Sequence, residues 1–462
     1  MRKSGILIII LIFLAFKCHA QFQDEDYQHA SVGISVVDVS GNKSVQSLNP
    51  DKSLVPASTL KLLTTATVLK KLGAAYRFKT ELLANGSVSD GILNGSLIVK
   101  GSGDPTLGSR YFNPDIYSFI DDWITALKAR GIKGIEGDLV ADISGFYPEP
   151  VPSRWIWEDI GNYYGAGVYP LTCFDNYYTL SFYPAKVGAK ARIATVDPEI
   201  KGLSFTVEAV GSPVNKDSAY IFGGPFEMHK RVRGSIPANR MDFSIKGAIP
   251  NPPEVLLDAL KGKLIESGIK VKGELILSDV PVPADLKITE TISPELSEIA
   301  AIVNYHSNNL FAEHLFRAVQ PDKDIQSIVK EIKQYWESMG IDMSPCFLYD
   351  GSGLSPSDAL SPKLMTDILC LMAKDADAGD GFMKTIPQAG KEGSVRSFLQ
   401  NTTDAVVLAK SGSMDNTRCY AGYIKKGGKT FAFSIMVNKF TCSQKKVVQD
   451  IESWLSQTIQ TL

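Results

Sequence analysis

Cysteine and histidine are scarce in this chain, and their scarcity removes whole classes of chemistry. The 462 residues hold six cysteines. Cys18 lies in an N-terminal leader, which leaves Cys173, Cys346, Cys370, Cys419 and Cys442. That number is odd and sparse, and no spacing among them matches a thiolate metal site or a disulfide scaffold. There are five histidines. His306 and His314 stand eight apart, not at the HExxH spacing of a zinc-peptidase helix. No metal, no other cofactor and no disulfide framework is expected. Charge of one sign is missing as well: 48 basic against 50 acidic residues leave a net charge of −2. That balance argues against a nucleic-acid binder. The apolar run Ile6–Phe16 is well short of the roughly 20 residues a membrane span needs. No other stretch can cross a bilayer, so membrane association is peripheral at most.

What is present begins with that leader. Arg2 and Lys3 precede the apolar run, and Cys18-His19-Ala20 puts small residues at −3 and −1 of a cleavage point before Gln21. Lys17 stands where a lipoprotein signal wants a small residue. Residues 1–20 therefore read as a signal peptide cleaved near Ala20, and the mature protein as exported. With 44% hydrophobic and 21% charged residues and no low-complexity tract, the remainder is a folded protein. Its length predicts two or three domains.

Along the chain the hydrophobic period changes twice. Ala30 to Asp38 alternates and is β-branched (Val32, Ile34, Val36), which predicts a strand. Ser40-Gly41-Asn42-Lys43 turns it into a return strand, Ser44–Leu48. From Ser58, Leu62, Ala66, Leu69 and Leu72 recur at helical spacing up to Gly73. From about Arg77 to Leu286 short strands alternate with Gly/Pro turns. The two helices there, Pro114–Arg130 and Pro252–Ser267, are each followed by Gly-Ile-Lys and an apolar strand. Helices return at Pro294–Asn304, Asn308–Val319, Asp324–Met339 and Ser361–Lys374. The strands Arg418–Ile424 and Thr430–Val437 and an amphipathic helix, Gln444–Ile459, complete the chain. This predicts an α+β protein in which residues 21–76 and 287–462 form one α/β domain, and 77–286 an inserted β-rich region of two small subdomains.

The chemistry centres on Ser58 and Lys61. Three residues apart at the start of a helix, they share a face within hydrogen-bond reach. A serine beside an amine base is a nucleophile pair. The helix N-terminus adds a positive field and free N–H groups suited to an oxyanion. The Ser-x-x-Lys spacing alone is weak, since it recurs at Ser40–Lys43, Ser267–Lys270, Ser327–Lys330 and Ser443–Lys446. Those copies lie in a turn, a helix end or exposed helices. Only Ser58–Lys61 opens a buried helix, where a lysine needs a reason to be. Two further elements matter. Ser307 and Asn309 sit on the tight polar turn Tyr305–Asn309 between two helices. Lys410-Ser411-Gly412-Ser413 follows the apolar strand Val406–Ala409. There Gly412 is expected to let a substrate backbone lie close, and Lys410, Ser411 and Ser413 to hold a carboxylate.

Ser-x-x-Lys on a helix, Ser-x-Asn on a helical turn and Lys-Ser-Gly on a strand, in that order, resemble the penicillin-recognising serine enzymes. Within them, the long insertion between Lys61 and Ser307 resembles the class C low-molecular-weight penicillin-binding proteins, the D-alanyl-D-alanine carboxypeptidase/endopeptidase family. Gly101-Ser102-Gly103-Asp104-Pro105, Trp157-Glu158-Asp159, Asn308 to Glu313, Asp350 to Ser355, Pro387 to Gly390 and Ala421-Gly422-Tyr423 also fit. Together they cover nearly the whole mature chain. Ser411 replaces the usual threonine, and Pro356 stands where the family often has an arginine.

The resemblance implies a penicillin-binding/β-lactamase-like transpeptidase fold (an α/β sandwich) with a large β-rich insertion. It implies periplasmic hydrolysis of peptidoglycan peptides ending in D-Ala-D-Ala, through an acyl-enzyme, and covalent binding of β-lactam antibiotics. The implied catalytic residues are Ser58, Lys61, Ser307, Asn309 and Lys410, with Ser411, Gly412, Ser413 and Asp159 contacting substrate. In this scheme Lys61 must be neutral near pH 7, through burial and the charge of Lys410. A physiological β-lactamase and a non-catalytic cell-wall-binding module are the alternatives. The large insertion opposes the first and the full set of reactive residues the second.

Overall fold

A computed structural model of the chain describes residues 20–400 and 404–462. The proposed leader, up to Cys18-His19, lies outside the described residues. The chain forms two compact units. One comprises residues up to Ala75 with Leu296–Asn308 and Ile325–Leu462; the other comprises Tyr76–Glu295 and Asn309–Asp324.

The first unit is built on a five-stranded antiparallel sheet. Its strands are β1 (Ser31–Asp38), β2 (Lys43–Leu48), β3 (Val406–Met414), β4 (Thr417–Lys426) and β5 (Lys429–Asn438), in the order β3-β4-β5-β1-β2. The helices are α1 (Leu60–Leu72), α2 (Leu296–His306), α3 (Ile325–Ser338), α4 (Pro362–Lys374), α5 (Gly379–Lys384) and α6 (Gln444–Thr461). Alternation decides which face each strand residue serves. Val32, Ile34 and Val36 of β1 and Phe431, Phe433, Ile435 and Val437 of β5 share one face. They pack with Val447, Ile451, Trp454, Leu455 and Ile459 of α6 in a single apolar cluster. On the other face Ser35 Oγ and Thr366 Oγ1 of α4 hydrogen-bond at 2.8 Å, and Tyr423 Oη donates to Leu369 O at 2.7 Å. Gly33 is needed there, since a Cβ would stand 2.6 Å from Leu54 and 2.7 Å from Pro362. The sheet thus lies between α6 and α4.

The second unit is β-rich, with sheets of seven, four and three strands. Its core gathers Trp123, Leu127, Leu139, Phe174, Tyr178, Ile221, Val232, Leu257 and Leu260. The two similar helix-to-strand segments lie side by side. Lys270–Val271 pairs parallel with Gly134–Ile135, and Leu275–Ser278 with Leu139–Asp142. The Asn309–Arg317 helix belongs to this unit. Its Phe311 ring meets Tyr111 and Phe112 at 5.7 and 6.3 Å. His314, fully buried, bridges Gly103 O at 2.8 Å and Thr172 Oγ1 at 3.0 Å. Among the described residues no helix is long and apolar enough to cross a membrane, and no group of His, Cys, Asp or Glu is arranged to hold a metal ion.

Candidate active site

Ser58 lies in a single 3-10 turn, Ala57–Thr59, immediately before α1. The sequence reading starts the α-helix at the serine itself; the structure sets the serine one turn ahead of it. The chain enters pinned by the side chain of Asn438, whose Oδ1 accepts from Val55 N–H at 2.8 Å and whose Nδ2 donates to Val55 O at 3.1 Å. Ala57 has φ +46°, a left-handed conformation that costs a non-glycine residue of order 1–3 kcal/mol. Two glycines make room for this turn. A Cβ on Gly353 would stand 2.0 Å from Ala57 O, and one on Gly412 would stand 2.7 Å from Pro56 O and 3.0 Å from Ser58 N. The absence of a side chain at Gly412 thus also leaves room for the backbone that carries the serine.

Lys61 is fully buried on the first turn of α1. Its Nζ is 3.0 Å from Ser58 Oγ and donates to Ser352 O at 2.6 Å. That carbonyl is aimed by the buried carboxylate of Asp350, which accepts from the N–H groups of Ser352, Gly353 and Ser355 at 3.1, 2.7 and 2.7 Å. Thr64 Oγ1 ties α1 to the same loop through Gly351 O at 2.6 Å. Asp350 and Ser352 were part of a family-like segment in the sequence, but only the folded loop shows that they position the lysine.

Ser307 follows α2 with φ +55°. The end of α2 is held to α1 by the buried Asn304, whose Nδ2 donates to Thr65 Oγ1 at 3.2 Å and Thr385 Oγ1 at 3.0 Å. Lys410, fully buried in β3, donates to Ser307 Oγ at 2.9 Å and Ser411 O at 2.7 Å. Ser58, Lys61, Ser307 and Lys410 therefore form two hydroxyl–amine pairs in the first unit. Burial chiefly, then the positive charges of Lys61 and Arg418, hold the Lys410 amine well below the ordinary lysine range. The structure shows such a depression at Lys410.

Strand β3 is the sheet edge beside this group. Ala409 N–H donates to Pro387 O at 3.0 Å, and Ala389 N–H to Val407 O at 2.9 Å. In an antiparallel ladder the direction alternates. Since the register to β4 runs unbroken to Met414, the N–H groups of Ser411 and Ser413 also face away from β4. Ser411 Oγ donates to Ser394 Oγ at 3.2 Å, and Ser413 is exposed.

Asn309 and Asp159 are held in the second unit. Asn309, two residues along the chain from Ser307, donates through Nδ2 to Tyr164 O at 2.8 Å. Asp159 lies on the short Trp157–Ile160 helix, close enough that, after burial, its charge raises the Tyr164 hydroxyl pKa.

With this geometry in hand, the match to known proteins is decisive. The model of the D-Ala-D-Ala carboxypeptidase 3 (S13) family matches residues 14–458. The chain belongs to that family. It is 27% identical to the D-alanyl-D-alanine carboxypeptidase of Actinomadura sp. strain R39, over 93% of this chain and 82% of the relative. It is 26% identical to the D-alanyl-D-alanine carboxypeptidase DacB of Haemophilus influenzae, over 89% and 86%. The crystal structure of penicillin binding protein 4 from H. influenzae superposes with a TM-score of 0.83 at 24% identity, covering 97% of this chain and 98% of that one. This S13 chain thus has the penicillin-binding fold, and its class of chemistry is serine-type D-Ala-D-Ala carboxypeptidase hydrolysis.

Proposed function

We propose that this chain is an exported, periplasmic serine D-Ala-D-Ala carboxypeptidase, with endopeptidase activity on cross-links, whose nucleophile is Ser58. Ser58 Oγ loses its proton to the amine pair through Lys61 and attacks the carbonyl of the penultimate D-alanine. The N–H groups of Ser58 and Ser413 receive the oxyanion. Ser307, hydrogen-bonded to Lys410, passes a proton to the departing amine. Asn309 holds the substrate amide, and Lys410, Ser411 and Ser413 hold the terminal carboxylate. Asp159 contacts the stem peptide. Water then cleaves the acyl-enzyme. Peptidoglycan peptides and β-lactams are the ligands, and no cofactor takes part in a step.

The 3.0 Å contact of Lys61 Nζ with Ser58 Oγ, in an S13 chain, carries this reading. The test is labelled penicillin. The wild-type protein should take up one penicilloyl group at Ser58, and Ser58→Ala none. Labelling of the Ser58→Ala protein would sink the assignment.

A further inference from the structure

We infer that Arg418 is part of the subsite that reads the substrate's terminal carboxylate, and that it biases the enzyme toward peptides with a free carboxylate end over peptides continued by a cross-link. The inference rests on the active-site reading above and adds to it a residue and a selectivity.

The unbroken register sets Arg418 directly opposite Ser413, and Tyr420 opposite Ser411. Residues opposed in an antiparallel pair share a face of the sheet. Arg418 therefore rises on the same face as the two hydroxyls assigned to the carboxylate, next to the open edge of β3. It is anchored there. Its Nε donates to Tyr420 Oη at 3.1 Å, its Nη2 donates to the same oxygen, and its guanidinium lies 4.9 Å from the ring centroid. Tyr420 in turn stacks on Phe398, with centroids 3.9 Å apart and planes 8° from parallel. Among the described residues Arg418 has no carboxylate partner. Its charge also reaches the interior, where it is one of two that disfavour a proton on Lys410.

A guanidinium has five N–H donors, and Tyr420 occupies two of them. The rest form a planar fork that suits a carboxylate and has nothing to bind when the chain continues as an amide. Phe398 and Tyr420 are buried and stacked, so this base leaves Arg418 little side-chain entropy to lose when the carboxylate docks.

The experiment compares two peptides ending in D-Ala-D-Ala, one with a free carboxylate and one with a C-terminal amide, on the wild-type protein and on Arg418→Gln. The expected result is a fall of about 10- to 100-fold in kcat/KM for the acid peptide, the range of one hydrogen bond to a charged group, with the amide peptide unchanged within about twofold. A residue that merely clamps Tyr420 would lower both alike, and that result overturns the inference while leaving Ser58 chemistry intact. Wild-type protein that cleaves neither peptide and takes up no penicillin overturns the proposed function, and this inference with it. Should Arg418→Gln fail to fold, Arg418→Lys serves with the same peptides. It keeps the cation but loses the fork, and must still cost the acid peptide more than the amide.

Discussion

Two buried amines, Lys61 and Lys410, each meet a hydroxyl, Ser58 Oγ at 3.0 Å and Ser307 Oγ at 2.9 Å. Lys410 bears the resolved consequence, a pKa well below the ordinary range, caused first by burial and then by Lys61 and Arg418. A depressed lysine binds fewer protons folded than unfolded, so this group opposes folding at neutral pH and ceases to do so as pH rises toward 10.5. Buried histidine shows the same sign at lower pH in the second unit. Burial pushes His314 down to about 3. The ring is therefore neutral near pH 7; its Nδ1 must donate to Gly103 O, which leaves Nε2 to accept from Thr172. Its contribution is complete above 6.5 and is lost as pH falls toward 3. Asp104, beside Gly103, is pushed up to about 6 by burial, against two hydrogen bonds from Thr106. That works the other way, since the folded state then holds the proton more firmly. The histidine shift is the larger, so acidification from pH 6.5 to about 3 should cost about 2 kcal/mol on balance. Denaturant melts across that range would measure the loss, and His314→Gln should flatten it. An unchanged pH dependence in His314→Gln would refute the assignment.

At the scale of elements, the position of Ser58 is set by three neighbours: the 3-10 turn, strand β3 at Gly412 and the Asp350–Ser355 loop at Gly353. Gly412→Ala inserts a methyl 2.7 Å from Pro56 O, so either the turn or the strand must shift. Overpacking of this kind costs about 1–3 kcal/mol. Displacing a reactive group by about 1 Å costs roughly 100-fold in rate. The expected outcome is a folded protein, by its circular dichroism and a slightly lower Tm, whose penicillin acylation is about 100-fold slower. Wild-type acylation by Gly412→Ala would show that the turn is not braced there. The edge of β3 is the complementary feature. Its outward N–H groups at Ser411 and Ser413 could pair with an extended peptide as an added strand does, as the proposed function requires.

Over the whole molecule, the thiols report how completely the two cores close. Cys173, Cys346, Cys370 and Cys419 are buried and free, and Cys442 is half-buried. Burial raises the thiol pKa of Cys370 to about 11 and of Cys346 and Cys419 to about 12. Folded protein lacking the leader should therefore react with iodoacetamide first and almost alone at Cys442, and unfolded protein at all five, counted by mass. Fast native labelling at Cys419 would mean that the sheet beneath the site opens. Much of this architecture was written in the sequence. Alternation in Val32–Val36, the helical stripe from Leu62 to Leu72 and the amphipathic Gln444–Ile459 helix are local consequences of one-dimensional period, so they could be read without contacts. The three motifs likewise named Ser58, Lys61, Ser307 and Lys410, because chemistry restricts residue type and order. What tertiary structure alone decided depends on atoms brought together from far along the chain. It buried Lys410 beside Lys61 and Arg418 and so depressed its amine, since burial and neighbouring charge have no signature in sequence. It set Gly412 against the Ser58 turn. It also set Arg418 opposite Ser413, which only strand register can do.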